Sequence, residues 1–290
     1  MIKKYIPIFK GVYMKRAIIF GATDTGKRIY NNVKQEYEII GFVDGNSKLH
    51  GSKYEGFIIE DYNNLKNYEF DYVIVGVLTA YKQIKEQILE LGIPEYKIMD
   101  KYVELPTQAR IEYLRNTAEI LKENNVKGAC AEVGVYQGDF AKIINEIFNE
   151  KKLYLFDTFC GLPKEDSNHD NEKGYATVQS GHFSNTSEQV VLSKMKYKEN
   201  CIICKGYFPD TIANINETFC FVNLDADLYK PTIEGLRYFY PRMEKGGVIL
   251  IHDYFSMAFK GVKDAVKEFC NISNITYMPI GDTLSVAIIK

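Results

Sequence analysis

The segment from Phe219 to Asp253 constrains the fold of this chain more than any other. Two short apolar runs, Phe219–Leu224 and Gly247–Ile251, flank a stretch from Pro231 to Met243 whose apolar residues have helical spacing. This pattern is typical of two parallel strands joined by a crossover helix. Parallel sheets occur in α/β proteins, whose ligands bind beyond the carboxyl ends of the strands. The segment therefore predicts an open parallel sheet with a ligand crevice at one edge.

Each of the two predicted strands is followed by acidic residues. Asp225 and Asp227 come after the first strand, and His252 and Asp253 come after the second. Since neighbouring parallel strands end at the same edge, we expect Asp225 and Asp253 to lie close together, with Asp227 on the same side if the chain stays extended. Converging carboxylates repel one another unless a cation lies among them, and an all-oxygen set favours Mg²⁺, Ca²⁺ or Mn²⁺ over Zn²⁺. The alternative is a set of solvated loop acids and helix N-caps.

A glycine-bearing turn, Gly134–Gly138, follows the short apolar run Lys127–Val133. Its glycines permit a close approach to the backbone, and the apolar spacing over Phe140–Phe148 predicts that a helix begins beside the turn. The next predicted strand, Lys152–Phe156, ends at Asp157, where an acid can meet the hydroxyls of a ribose. The turn and this acid together favour a nucleotide-type cofactor.

Two strand-like runs near the end of the chain, Asn274–Ile280 and Leu284–Ile289, are separated only by Gly281–Thr283. So short a connection requires an antiparallel hairpin. A parallel sheet that finishes in one antiparallel hairpin resembles the sheet of class I methyltransferases, which use S-adenosylmethionine. We therefore expect an α/β protein with two Rossmann-like domains, of which the C-terminal one has this methyltransferase sheet.

Six motifs after residue 106 together carry a more specific resemblance. They are Glu132–Gly138, Phe156–Pro163, Gly181–Phe183, Lys205–Thr211, Asp225–Tyr229 and His252–Tyr254. The series resembles the macrocin O-methyltransferase family, which acts on sugar hydroxyls of macrolides and related glycosides. The resemblance covers roughly two-thirds of the chain, from about Pro106 to Lys290.

The resemblance implies Mg²⁺-dependent methyl transfer from S-adenosylmethionine to a sugar hydroxyl. It assigns Asp225 and Asp253 to the metal. We take Asp227, or His252 if it is not a metal ligand, as the group that accepts the proton of the hydroxyl. The motif residues that we assign to the cofactor site are Glu132, Gly134, Tyr136, Gly138, Asp157, Thr158 and His182.

One position departs from the family pattern. The family often has two acids before the tyrosine, whereas this chain has His252 and then Asp253. His252 is therefore a metal ligand, a base or a residue that only ends the strand. The acceptor is a small-molecule sugar or glycoside by the same resemblance, and whether it is nucleotide-linked, lipid-linked or a finished glycoside stays open. A homo-oligomer is also expected from the resemblance.

The first hundred residues have a second nucleotide-binding outline. Arg16–Phe20 predicts a strand that enters the turn Gly21–Gly26, a helix follows to about Lys34, and Tyr37–Val43 predicts a strand that ends at Asp44. The outline resembles the small Rossmann-like domain found ahead of sugar-modifying and polysaccharide-biosynthesis enzymes. A working nucleotide site and a fold kept for packing or dimerisation are both open.

We place the domain boundary near Asp100–Pro106, with a corner at Leu105–Pro106. The division gives a Rossmann-like domain over residues 1–105 and a methyltransferase domain over residues 106–290. Pro163–Gly174 and Ser256–Phe259 are candidate substrate loops because they are polar or mixed in character.

Composition limits the partners and the compartment. The net charge is −2 with acids and bases interspersed, so the chain has no basic field for nucleic acid. No apolar run approaches the length of a membrane span, and charges interrupt Met1–Arg16, so neither a span nor a signal peptide is expected. The six cysteines suit a reducing compartment, and the Cys201 to Cys204 spacing lies in a predicted strand that sends the two side chains to opposite faces. We expect a cytoplasmic enzyme.

Two functions of other classes stay open. The first is an NAD-dependent nucleotide-sugar oxidoreductase or dehydratase that uses residues 1–105 as its dinucleotide site. The second is a noncatalytic scaffold, against which the acids at both strand ends weigh.

Overall fold

The computed structural model describes residues 14–78, 80–213 and 215–290. The chain forms two compact units that divide between Leu105 and Pro106. In the described part of the chain no helix has both the length and the apolar character to span a membrane. The expectation about Met1–Arg16 falls mostly on residues 1–13, which lie outside the described residues.

The N-terminal unit has a six-stranded sheet in the order β3-β4-β2-β1-β5-β6. Its pairs are parallel except for β3 with β4. The elements are β1 (Lys15–Phe20), α1 (Asp24–Val33), β2 (Tyr37–Asp44), β3 (Lys53–Tyr54), β4 (Phe57–Asp61), β5 (Tyr72–Val75), α2 (Tyr81–Glu90) and β6 (Ile98–Met99).

The C-terminal unit has a seven-stranded sheet in the order β12-β13-β11-β10-β7-β8-β9. The pairs that involve β13 are antiparallel and all others are parallel, so the predicted class I methyltransferase sheet with its final hairpin is confirmed. The elements are α3 (Lys101–Glu123), β7 (Ala129–Val133), α4 (Asp139–Ile147), β8 (Leu153–Asp157), α5 (Lys164–Glu172), α6 (Glu188–Lys194), β9 (Cys201–Lys205), β10 (Phe219–Leu224), α7 (Tyr229–Phe239), β11 (Met243–Ile251), α8 (Lys260–Ser273), β12 (Met278–Pro279) and β13 (Val286–Ile289).

The central strands of this sheet are buried on both faces. Every residue of β10 is buried, because Val222 and Leu224 belong to one hydrophobic cluster and Phe221 belongs to a second. Strands covered on both faces have continuous apolar runs, which is why the sequence pattern locates them well. Cys201 and Cys204 also pack into different clusters, so the predicted opposite orientation of their side chains is confirmed.

Three local predictions are wrong. α3 begins at Lys101 and continues through Pro106, so the chain has no corner at Leu105–Pro106; the proline removes only one backbone bond from a helix of 23 residues. Pro163–Gly174 is not a loop, since α5 occupies Lys164–Glu172. The strand predicted over Asn274–Ile280 is reduced to Met278–Pro279 at the sheet edge, where a proline is tolerated.

Candidate functional site

The carboxyl ends of β10 and β11 lie side by side because Leu224 pairs with Ile251 in parallel register. Asp225 directly follows the first strand, and His252 and Asp253 follow the second. One ligand atom from each of these three residues lies within 4.8 Å of the other two. The predicted proximity of Asp225 and Asp253 is therefore observed, and the histidine joins them.

Asp227 completes an acidic cluster with Asp225, His252 and Asp253, but the chain that leads to it is not extended. Its φ is +60°, and the backbone N–H of Leu228 donates to the carbonyl oxygen of Ala226 at 2.6 Å. Its carboxyl nevertheless hydrogen-bonds with that of Asp253. Burial raises the pKa of Asp227 well above its ordinary value, and the charges of Asp253 and Asp225 raise it further. The two carboxyls thus differ in acidity, because the pKa of Asp253 is lowered.

His252 faces the carboxylates through its Nδ1 atom. This nitrogen lies 2.7 Å from the backbone nitrogen of Asp253, which donates to it, and 3.4 Å from Asp253 Oδ1. Burial and the charge of Arg110 lower the pKa of His252, but the carboxylates of Asp225 and Asp253 outweigh them and raise it. Burial likewise opposes ionisation of Asp253, and the contact with His252 outweighs it, so the pKa of Asp253 is lowered. The carboxylates of the cluster thus stabilise a positive charge on the His252 ring.

Arg110 is a member of the cluster that the sequence analysis missed. Its Nη2 donates to Asn223 Oδ1 at 2.9 Å and to Asp225 Oδ2 at 3.0 Å. The guanidinium lies 4.1 Å from the centroid of the Phe140 ring, and the side chain is only 12% exposed. Arg110 comes from α3, 115 positions before Asp225, and no local motif marks it.

Glu132 lies on β7 behind these groups and is 1% exposed. Its Oε1 accepts a hydrogen bond from Asn223 Nδ2 at 2.8 Å, while its Oε2 has no partner among the described residues. Burial raises the pKa of Glu132 well above its ordinary value, and Asp225 raises it further against the opposing charge of Arg110. A buried oxygen without a partner is costly, so a water or a ligand group near Oε2 would stabilise the site.

The glycine turn touches the acidic cluster directly. Gly134 has φ +82°, and a Cβ added there would lie 2.0 Å from the carbonyl oxygen of Asp225. Gly138 has φ +79° at the start of α4, and its Cβ would lie 3.0 Å from Val191 Cγ1. Protein atoms therefore already explain both glycines, and their assignment to the cofactor stays a prediction.

Asp157 fixes the conformation of this turn. Its Oδ2 accepts from the backbone N–H groups of Val135 and Tyr136 at 2.8 Å each, and its Oδ1 accepts from Phe159 N–H at 2.7 Å. An ionised carboxylate has about four acceptor positions, so about one remains for a ribose hydroxyl. The cofactor role of Asp157 thus stays open beside a structural one.

The residues around 183–186 contact the turn. The Tyr136 hydroxyl donates to Asn185 Oδ1 at 2.8 Å, its ring centroid lies 5.2 Å from that of Phe183, and the Thr186 hydroxyl donates to the Tyr136 carbonyl. The His182 ring is exposed and packs against Phe183 with centroids 4.1 Å apart.

Thr158 has a local structural contact. Its hydroxyl donates to the carbonyl oxygen of Gly161 at 2.8 Å. The structure thus places His182 beside Phe183, which contacts Tyr136 of the turn, whereas Thr158 stabilises the loop after β8.

The N-terminal unit repeats the acid-and-turn arrangement. Asp44 at the end of β2 accepts from the backbone N–H of Ala22 at 2.9 Å and from that of Asn46 at 2.8 Å. Both carboxylate oxygens are thus bound by backbone groups, as in Asp157. The alternatives of a nucleotide site and a packing fold stay open for this unit.

The chemistry of the acidic cluster fits a divalent cation. Asp225, Asp253 and an imidazole nitrogen of His252 present converging donors, and the neighbouring acids exceed the single guanidinium of Arg110 in charge. The grouping differs from the predicted all-oxygen set, because His252 rather than Asp227 stands beside the two aspartates.

Two family models match different parts of the chain. Residues 103–287 match the macrocin-O-methyltransferase (TylF) family, and residues 13–99 match the C2185-like, N-terminal family. The chain belongs to the macrocin-O-methyltransferase family.

Relatives of this macrocin-O-methyltransferase family member come from Streptomyces and Micromonospora. The demethyldecarbamoylnovobiocin O-methyltransferase of Streptomyces niveus is 28% identical over 55% of this chain and 64% of its own length. The mycinamicin III 3''-O-methyltransferase of Micromonospora griseorubida is 24% identical over 55% of this chain and 67% of its own. This chain therefore spans less than two thirds of the length of the Streptomyces niveus relative, of which 64% is matched.

Solved structures resemble the fold of this macrocin-O-methyltransferase family member. The O-methyltransferase NovP has a TM-score of 0.52 and 23% identity, covering 63% of this chain and 79% of NovP. The calicheamicin methyltransferase CalS11 has a TM-score of 0.54 and 16% identity, covering 73% of this chain and 93% of CalS11. At these identities the similarity concerns the methyltransferase fold.

Proposed function

We propose that the chain is an S-adenosylmethionine-dependent O-methyltransferase that acts on a hydroxyl of a sugar or glycoside with the help of a divalent cation. The observation that carries the proposal is the contact between the glycine turn and the acidic cluster. β7 pairs with β10, and the backbone of Asp225 packs on Gly134, so a cofactor at the turn and a cation at the cluster would be neighbours. Such proximity is what transfer from cofactor to a metal-bound acceptor needs.

The family and the names of the relatives support the acceptor class. A relative from Streptomyces olivaceus, 25% identical over 55% of this chain, is named as the 4'-O-methyltransferase of a rhamnosyl-tetracenomycin. The acceptor of this chain is accordingly proposed to be a glycoside or an activated sugar with neighbouring oxygens. The cytoplasmic location and the homo-oligomeric state stay predictions from the sequence.

When bound, S-adenosylmethionine would supply the methyl group for the acceptor oxygen, with S-adenosylhomocysteine as the leaving group. A cation bound by Asp225 and Asp253 would lower the pKa of the acceptor hydroxyl and orient it. Arg110 holds Asp225 Oδ2 in place.

Asp227 is the proposed proton acceptor at its carboxylate, since its raised pKa makes it a stronger base than an ordinary aspartate. Glu132 and Asp157 would orient the amino-acid end and the ribose of the cofactor.

Methyl transfer from labelled S-adenosylmethionine to a panel of nucleotide sugars and glycosides tests the proposal, with each divalent cation and with EDTA. The Asp225→Ala variant is expected to lose cation-dependent turnover and to retain adenosylmethionine binding by calorimetry. Asp139→Ala is the matched control, because this aspartate is 78% exposed and forms a surface ion pair with Lys194 at 2.6 Å. Unchanged turnover of Asp225→Ala would remove the metal role, and tight NAD binding without adenosylmethionine binding would favour the oxidoreductase.

A further inference from the structure

The donor atoms of the acidic cluster differ in kind from those of an all-oxygen magnesium site. One of the three converging groups is the His252 imidazole, whose Nδ1 lies 3.4 Å from Asp253 Oδ1. Ligand atoms around a single ion with bonds of about 2.1 Å lie roughly 3.0–3.5 Å apart in octahedral or tetrahedral geometry. The nitrogen and the oxygen are therefore already spaced as two ligands of one ion.

The remaining oxygens of the cluster are poor partners for a hard ion. Asp225 Oδ2 is engaged by the Arg110 guanidinium at 3.0 Å, so its charge is partly neutralised. The Asp227 carboxyl hydrogen-bonds with Asp253 and lies outside the converging group. Mg²⁺ prefers an octahedron of oxygens, whereas an imidazole nitrogen suits Fe²⁺, Ni²⁺, Cu²⁺ and Zn²⁺, and Mn²⁺ begins the same first-row affinity series.

We propose that Asp225, His252 and Asp253 form a site for a first-row transition-metal dication in preference to Mg²⁺, with His252 as a direct nitrogen ligand. The biological role of this site rests on the proposed function, whereas its metal preference is tested by binding measurements alone. It assigns one of the three roles that the sequence left open for His252. A metal ion at Nδ1 would replace the hydrogen bond that this nitrogen now accepts from the Asp253 N–H at 2.7 Å.

Mn²⁺ is the probe, because its electron paramagnetic resonance signal reports both binding and ligand type. Titration of the full chain gives the Mn²⁺ dissociation constant, and competition gives that of Mg²⁺. We expect Mn²⁺ to bind at least about tenfold more tightly than Mg²⁺, and electron spin echo modulation from a coordinated ¹⁴N nucleus to appear in the wild-type complex.

Two variants of His252 and one control variant separate the effect of the nitrogen ligand on metal binding from the effect of charge at this position. His252→Asp restores an anionic oxygen and is expected to lower the Mn²⁺ preference over Mg²⁺ by about tenfold, with loss of the ¹⁴N modulation. His252→Asn removes the imidazole nitrogen without adding charge. This variant is expected to lose the ¹⁴N modulation and to bind both ions weakly. His50→Asn in the N-terminal unit is the histidine control and is expected to leave both readouts unchanged.

Equal affinity of the wild type for Mn²⁺ and Mg²⁺, or a Mn²⁺ complex without ¹⁴N modulation, would overturn the proposal. Both measurements use only the wild-type chain, so poor folding of a variant does not affect them. Calorimetry with S-adenosylmethionine and the methyl-transfer assay report on the proposed function separately. A selective Mn²⁺ site without methyl transfer would reject only the function.

Discussion

Replacement of Arg110 by methionine tests how the acidic cluster is held together. The change removes the guanidinium that bridges Asn223 and Asp225 and lies over Phe140, while it keeps the apolar stem. Breaking a buried ion pair costs about 3–5 kcal/mol, and a hydrogen bond to a charged group contributes about 1.5–3 kcal/mol. Because the Arg110 side chain is 12% exposed and that of Asp225 is 24% exposed, we take the lower part of this range, about 2–3 kcal/mol.

Hydrogen exchange followed by mass spectrometry measures this loss in the C-terminal unit alone. Peptides from β7 and β10 are expected to exchange about 30 to 140 times faster in Arg110→Met, since about 1.4 kcal/mol corresponds to a factor of ten. A divalent cation replaces the lost positive charge, so saturating Mn²⁺ is expected to reduce the difference from the wild type.

The matched control for this experiment is Arg237→Met on α7. Arg237 is 49% exposed and pairs with Glu234 and Glu268 at the surface, where ion pairs contribute about 0–1 kcal/mol. Its exchange is expected to change by less than about fivefold. An Arg110→Met variant that exchanges like this control would refute the bridging role of Arg110.

Two further predictions concern the turn and the protonation of the cluster. Gly134→Ala is expected to destabilise the protein by about 1–3 kcal/mol more than Gly174→Ala in urea titrations. Both glycines have positive φ, but only a Cβ at Gly134 would overlap the Asp225 carbonyl oxygen. Equal losses of stability in the two variants would contradict this overlap. The folded-state pKa of Asp227 lies above its ordinary value of 3.8, so the folded state binds the extra proton and the free energy of unfolding falls as pH rises from about 4 through the folded-state pKa. With EDTA present, Asp227→Asn is expected to remove part of this fall and gain stability relative to wild type between pH 4 and pH 7, whereas a gain independent of pH would contradict it.

The helix α5 shows where a sequence pattern fails. The segment KEDSNHDNE has no apolar stripe, and it was predicted as a polar loop. Its buried side chains are Asp166, Ser167 and Asp170, and Asp170 Oδ2 accepts a hydrogen bond from the backbone N–H of Tyr229 at the start of α7 at 3.0 Å. A helix held by polar contacts leaves no apolar period in the sequence.

The sequence alone determined the strands that carry the site. β7, β8, β10 and β11 are short apolar runs buried on both faces, so composition and length locate them, and the parallel order follows from the crossover helices. Since parallel strands end at one edge, the proximity of Asp225 to Asp253 also followed from the sequence.

Only the tertiary structure decided which side chains complete the cluster. Arg110 reaches Asp225 across 115 positions, the backbone of Asp225 explains Gly134, and the left-handed turn at Asp227 places its carboxyl against Asp253. These contacts depend on distances between elements that are remote in the chain, and residue periodicity contains no information about such distances. The local sequence therefore determined which acids and which histidine follow the strands, whereas packing determined that Arg110 and the left-handed turn at Asp227 set the charge balance among them.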